Sequence, residues 1–403
     1  MSLPAAGAPA WLTSLLALAC GLIVANIYYA QPLIGPIAAE LGLSPGAAGL
    51  IVTMTQIGYG AGLLLVVPVA DLLENRRLAL AVMGLGALGL AGAALAGQPA
   101  AFLAASLVIG LGSVSVQILV PYAAHLAPER KRGQVVGNVM SGLLLGIMLA
   151  RPVASLVADW LSWRAVFALS AGLMLALGLV LRLAMPPRHP REPGAAPGLR
   201  YGTLLRSMGR LALGSPTLRR RALYQASLFS AFSLFWTVVP LLLAGPEYRF
   251  SQSGIALFAL AGVAGAVAAP IAGRVADRGW VRPATGLAML AVALSFPLTH
   301  LAAPGGSTGL GLLLAAAVLL DFGVSANVVL GQRVIFALGA EYRARLNGLY
   351  MATFFLGGAL GSALGGWSYA AGGWPLASGI GLALPSLGLL YYASERRGTP
   401  AAG

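Results

Sequence analysis

Only one carboxylate in this chain lies deep inside an apolar run. Of its eleven acids, Glu40, Asp71, Glu74, Glu129, Asp159, Glu192, Glu247, Asp277, Glu341 and Glu395 fall in polar loops or at the ends of apolar runs. Asp321 instead sits within AAAVLLDFGVSANVVLG. Among the cations Arg151 has the same setting, within GLLLGIMLARPVASLVA. A charge at the centre of a bilayer costs roughly 2.5 to 3.5 kcal/mol on insertion scales, so each needs a partner, water or a function. The chemistry on offer is proton uptake and release by a carboxylate, or recognition of a charged group. Measured from one membrane face, the two lie at depths differing by about 5 Å at 1.5 Å per residue, which a long arginine can bridge. Arg151 is therefore the expected charge partner of Asp321, and a static pair that only fixes helix packing is the competing reading.

The elements holding these charges are membrane spans. The chain of 403 residues is 59% hydrophobic and 9% charged, with mean hydropathy +0.86, too apolar for a water-soluble surface. Spans need on the order of 20 apolar residues. Twelve are read, near 11–35, 45–70, 77–97, 100–126, 133–158, 162–184, 219–244, 251–274, 281–302, 308–336, 344–371 and 374–394. LALACG (16–21) resembles a lipoprotein cleavage site, but no Lys or Arg precedes Arg76, so the first span is expected to be retained.

Two echoes show a duplication. VPVADLLENRRL (67–78) returns as GRVADRGWVR (273–282), and PERKRGQVVG (128–137) returns as AEYRARLNG (340–348), at offsets of 206 and 211 residues. Residues 1–184 and 219–403 are thus expected to form two six-helix bundles. The Pro-, Gly- and Arg-rich stretch 185–218 is expected to be a cytoplasmic linker carrying an amphipathic surface helix near 201–213.

Basic residues set the orientation. One set of loops carries 22 of the 25, and the opposite loops carry only Arg164 and Arg249. Both termini are therefore expected in the cytoplasm of a bacterial-type inner membrane. The net charge of +14 is explained by these loops and calls for no nucleic-acid partner.

Polar and aromatic residues recur at helical spacing. Span one carries Asn26, Tyr29 and, off that face, Gln31; span four carries Ser113 and Gln117. Span seven presents Gln225, Phe229, Phe232 and Trp236 on one face, and span ten presents Asp321, Ser325 and Gln332. Each of these side chains could equally bond or pack against a neighbouring helix. Gly357, Gly361 and Gly365 mark a close helix approach in span eleven. No metal cluster or hydrolase triad is visible, and no cofactor is expected. Lys131, the only lysine, precedes Arg132, which excludes a Walker A loop.

Four stretches resemble the major facilitator superfamily: NIYYAQPL (26–33), TQIGYGAGLLLVVPVAD (55–71), GLLLGIMLAR (142–151) and FFLGGALGSALGG (354–366). They are most similar to its drug:proton antiporter branch, especially sugar- and nucleoside-efflux-like members. In the first loop only Asp71, Arg76 and Arg77 match the family signature; Val67, Leu72, Glu74 and Asn75 depart from it. The second copy keeps Gly273, Asp277, Arg278 and Gly279, and span four has serines where many proton antiporters carry arginine.

The resemblance implies an all-α fold of twelve transmembrane helices in two pseudo-symmetric bundles, with a substrate cavity lined by spans one, four, seven and ten. It also implies a cytoplasmic gate, made only when the inside is closed, in which Asp71 faces the start of span eleven near Arg345 and Asp277 faces the start of span five near Gly133, with Arg76, Arg77 and Arg278 beside them. The expected activity is export of a small organic solute against protons by a monomer in the lipid bilayer. A facilitator or symporter on the same fold, and a membrane receptor or channel, are the alternatives.

Overall fold

The computed structural model describes residues 9–189, 200–339 and 342–395, which form helices joined by turns and loops, without a strand. Local chemistry starts several helices. Ser162 accepts a hydrogen bond from the Ala165 amide, Ser251 from the Gly254 amide, and Ser215 from the Leu218 amide just ahead of Pro216. These caps open span six (Trp163–Ala184), span eight (Gln252–Asp277) and span seven (Pro216–Ala244). Glu74 caps span three (Asn75–Leu95) through the Arg76 amide.

Twelve spans are read among the described residues, where ten helices are long and apolar enough to count singly. Arg343–Ala393 is two spans, because Gly372 and Gly373 leave helical geometry. Gly373, at φ 61°, makes a turn that a side chain would strain. Span one is shortened the other way. Its helix Ala10–Ala25 dissolves into turns and resumes as Gln31–Leu33 and Ile34–Leu41, where an unbroken helix over 11–35 is expected. Pro32 and Pro36 have no amide hydrogens to return to residues 28 and 32, so the ladder cannot run through. Span four breaks similarly between Pro99–Ser113 and Val116–Leu126.

The linker contains the expected helix, Tyr201–Gly214, but it is docked on protein rather than lying only on a membrane surface. Leu204 and Met208 are buried, Tyr201 donates to the Leu65 carbonyl, and Arg345 donates to Ser207. Linker residues 190–199 lie outside the described residues, as do Arg396 and Arg397.

Spans one to six pack among themselves, as do seven to twelve, and the two groups meet along two principal seams. Span two lies against span eleven, with Thr53 donating to the Ala359 carbonyl and sharing a 2.7 Å hydrogen bond with Ser362. Spans five and eight form the second seam, where Ser253 donates to Asp159 at the end away from the basic loops. Past the short turn Leu260–Val263, span eight continues as Ala264–Asp277 against span ten. The first turns of span five, toward the basic face, are largely exposed. The seam thus closes at one face and opens at the other.

A charged cluster at the seam as the candidate functional site

Span seven is the most enclosed helix, with 83% of its apolar window buried. Gly357 and Gly361 on span eleven meet the backbone at Ala226 and Ser230, so this pair of helices approaches at backbone distance. Span seven is thereby held at the centre with Trp236 pointing to the two deep charges.

Arg151 and Asp321 are both buried, with 3% exposure each, and they come to one place. They do not form one of the ion pairs within 4.0 Å seen among the described residues. A Cβ added at Gly262, in the 3-10 turn of span eight, would lie 2.9 Å from Asp321 Oδ2 and 3.3 Å from Arg151 Nη1. A side chain there would have to push the Asp321 carboxylate aside.

The bridge is Trp236. Its Nε1 donates to Asp321 Oδ1 at 2.9 Å, and the Arg151 guanidinium lies 4.4 Å from the ring centre. Tyr28 and Phe232 add two more rings, each 5.2 Å from the same guanidinium. Stacking of a desolvated guanidinium on aromatic faces is worth about 2 kcal/mol or more and offsets part of the burial cost. Arg151 Nε donates to Gln31 Oε1 at 2.7 Å. Arg151 Nη2 and Gln31 Nε2 are buried donors with no acceptor among the described residues. Such donors cost about 1 to 3 kcal/mol, more when charged. A small pocket of about 10 Å³ lies beside Arg151 and Trp236 on the side away from the basic loops, walled by Pro32 and Phe258.

Around this cluster lies an aromatic and amide lining. Phe229 stacks on Phe354 at 3.8 Å and on Phe232 at 5.1 Å, and Tyr59 rests on Phe355 at 4.4 Å. Asn327 donates to Gln225 at 2.7 Å, Gln56 to Ser233 at 2.8 Å, and Gln117 to Tyr59 at 3.0 Å. Gln56 Oε1 and Gln225 Nε2 stay without a partner.

The expected cavity residues divide. Gln31, Phe232, Trp236 and Asp321 join the Arg151 cluster, while Gln117, Gln225 and Phe229 line its surroundings. Asn26 and Tyr29 turn toward span six: Ser170 donates to Asn26 at 2.6 Å, and Tyr29 engages the same serine. The helix break after Ala25 rotates them off the face on which a continuous helix would have put them. Ser113 bonds the Ile109 carbonyl of its own helix, Gln332 bonds Asn347 of span eleven, and Ser325 is half-buried. Tyr28, Gln56, Ser233, Asn327, Phe354 and Phe355 were not expected. Tyr28, Gln56, Phe354 and Phe355 lie inside the stretches that resemble the family, and Asn327 is two residues from Ser325 in a buried run.

At the basic face the expected gate contacts are differently arranged. Asp277 pairs with Arg333 of span ten at 2.9 Å, and a Cβ on Gly133 would meet nothing within 4 Å, so no Asp277–Gly133 contact closes this face. The open seam between spans five and eight separates them. Arg76 donates to the Met185 carbonyl, Arg77 pairs with Glu74 at 3.3 Å, and both links stay within the first half. Asp71 ends the turn Val67–Asp71, exposed and acting electrostatically on Arg188. Arg345 stacks over Tyr342, and Arg278 is exposed.

Apolar spans that bring the buried Asp321 of one group and the buried Arg151 of the other together at a seam fit a multi-pass membrane transporter. The chain belongs to the Major Facilitator Superfamily, whose profile matches residues 16–308 and 222–402. It is 40% identical over 361 residues to the uncharacterised transporter YgaY of Escherichia coli, covering 88% of this chain and 89% of that one. It is 34% identical to the probable transporter SCO4007 of Streptomyces coelicolor, covering 90% and 82%. Its fold resembles a bacterial homologue of the human lysosomal transporter Spinster, with a TM-score of 0.76 at 15% identity and complete coverage of both chains.

Proposed function

We propose that this protein is a proton-coupled secondary transporter of the drug:proton antiporter branch, exporting a small organic solute by alternating access. Residues 1–184 and 219–403 are its two moving bodies and 185–218 the tether. It works as a monomer in a bacterial inner membrane with both termini in the cytoplasm.

One observation carries the reading. A carboxylate of the second half and a guanidinium of the first share one indole across the seam. When Asp321 is ionised, its attraction for Arg151 holds spans five, seven and ten together at the level of the cluster. A proton on Asp321 removes that attraction and frees Arg151, and its departure restores it. Phe229, Phe354 and the partly unpaired amides of Gln56 and Gln225 offer stacking faces and hydrogen bonds to an organic solute.

Purified protein in proteoliposomes provides the test, with counterflow and pH-gradient-driven efflux measured on a panel of sugars, nucleosides, amino acids and cationic dyes. The expected outcome is saturable counterflow of one class, accelerated by an opposing proton gradient, with the gradient response abolished in Asp321→Asn while the protein stays folded and inserted. Wild-type, pH-dependent transport by Asp321→Asn overturns the coupling role. Flux without saturable counterflow points to a channel.

A further inference from the structure

The outer surface of the first half carries a groove that the transport cluster does not use. It lies between spans three and six, has a volume of about 600 Å³, and combines two chemistries. At its mouth are Arg76 and Arg77, in the first turn of span three, and Arg182, in the last turn of span six. Its deeper wall is apolar, running past Met83 and Leu175 to Gly84, where an added Cβ would meet no atom within 4 Å. Further in the two spans close up, since a Cβ on Gly178 would lie 2.8 Å from the Met83 terminal methyl. The surrounding surface faces hydrocarbon, with Leu88, Leu175 and Leu179 71%, 64% and 61% exposed.

We propose that this groove is a binding site for an anionic phospholipid, its phosphate between the arginines and an acyl chain along the Gly84 wall. Charge complementarity singles out that occupant. Glu74 is paired with Arg77 and, at 4.0 Å, with Arg76, and so offsets one of three positive charges; Arg182 is exposed and makes no ion pair among the described residues. The remaining positive field stands where an apolar span meets the interface, the arrangement by which basic interhelical pockets hold lipid headgroups. A soluble anion would use the arginines alone. A zwitterionic lipid would fill the apolar wall but bring a compensating cation.

The test uses the full chain, delipidated in a neutral detergent, with phosphatidylglycerol, phosphatidylcholine or inorganic phosphate added back, read by thermal melting and native mass spectrometry. Phosphatidylglycerol should raise the melting temperature and remain bound, whereas phosphatidylcholine and millimolar phosphate should do neither. Arg182→Gln should weaken phosphatidylglycerol binding about fivefold, and the pair Arg77→Gln with Arg182→Gln about twenty-five-fold, taking about 1 kcal/mol for each arginine near a membrane surface. Gly84→Leu keeps every charge and fills the wall, so it should abolish retention of the lipid while leaving the melting temperature in phosphatidylcholine at or above wild type. Equal stabilisation by phosphatidylcholine overturns the proposal, as does a phosphatidylglycerol response that survives Gly84→Leu or the double arginine variant. A response reproduced by phosphate alone reassigns the arginines to soluble anions and overturns it as well.

Discussion

Trp236 and Asp321 are joined by a 2.9 Å hydrogen bond from the indole Nε1 to Oδ1, and the face of that indole carries the guanidinium of Arg151. A neutral side chain thus does what a direct ion pair would otherwise do. It lets two opposite charges share a buried site without a direct ion pair. A bidentate pair would be stronger and, for a site that must change state, harder to open.

Trp236→Phe keeps a ring under Arg151 and removes the donor to Asp321. A hydrogen bond to a charged group is worth about 1.5 to 3 kcal/mol, and its loss should appear as lower resistance to detergent-induced unfolding together with slower gradient-driven transport. An unchanged unfolding curve with wild-type coupling would remove Trp236 from the mechanism.

Closure at the face away from the basic loops should be trappable. Asp159→Cys combined with Ser253→Cys puts two thiols where the seam between spans five and eight is tied. Oxidation should cross-link them, halt transport, and be reversed by a reductant. Asp277→Cys with Gly133→Cys should cross-link only when the opposite face closes, so added substrate or a proton gradient should change its yield.

Gly361→Ala directs a methyl group into the Ser230 backbone of span seven. Overpacking of this kind costs about 1 to 3 kcal/mol, and it should lower thermal stability and activity together. Gly172→Ala, in a helix where the added Cβ meets nothing within 4 Å, should stabilise by about 0.5 to 1 kcal/mol through helix propensity. If the two variants melt alike, backbone approach between spans seven and eleven is not the reason for the glycine.

Glu40 supplies a pH signature outside the spans. The Trp163 indole donates to it at 2.6 Å and Arg164 at 2.9 Å, and these hydrogen bonds hold its carboxyl below the ordinary value of 4.5. A depressed carboxylate contributes stability that is complete above the unfolded-state value and disappears as pH falls through the lower folded value. Glu40→Gln should therefore flatten part of the acid limb of thermal stability below about pH 4.5 and leave pH-gradient coupling intact. An acid limb identical to wild type would show that the tie among Glu40, Trp163 and Arg164 has no energetic weight.

Hydropathy and the two echoed loop motifs were enough to determine the membrane class, the twelve spans and the duplicated plan, because burying an unpaired backbone in hydrocarbon leaves helices as the solution. The same reasoning singled out Asp321 and Arg151, since charge burial is costly wherever the helix packs. Tertiary structure alone decided what surrounds them. A 3.6-residue period fixes a side chain's face only along an unbroken helix, and span one breaks after Ala25, so that Tyr28 joins Gln31 at the cluster while Asn26 and Tyr29 turn to span six. Gln56 and Ser233 meet from spans two and seven, 177 residues apart in sequence, through packing that no local pattern encodes. The gate depends on conformation as well. Asp277 rests on Arg333 within its own half, and a sequence lists the residues of every state without saying which contacts are made in one.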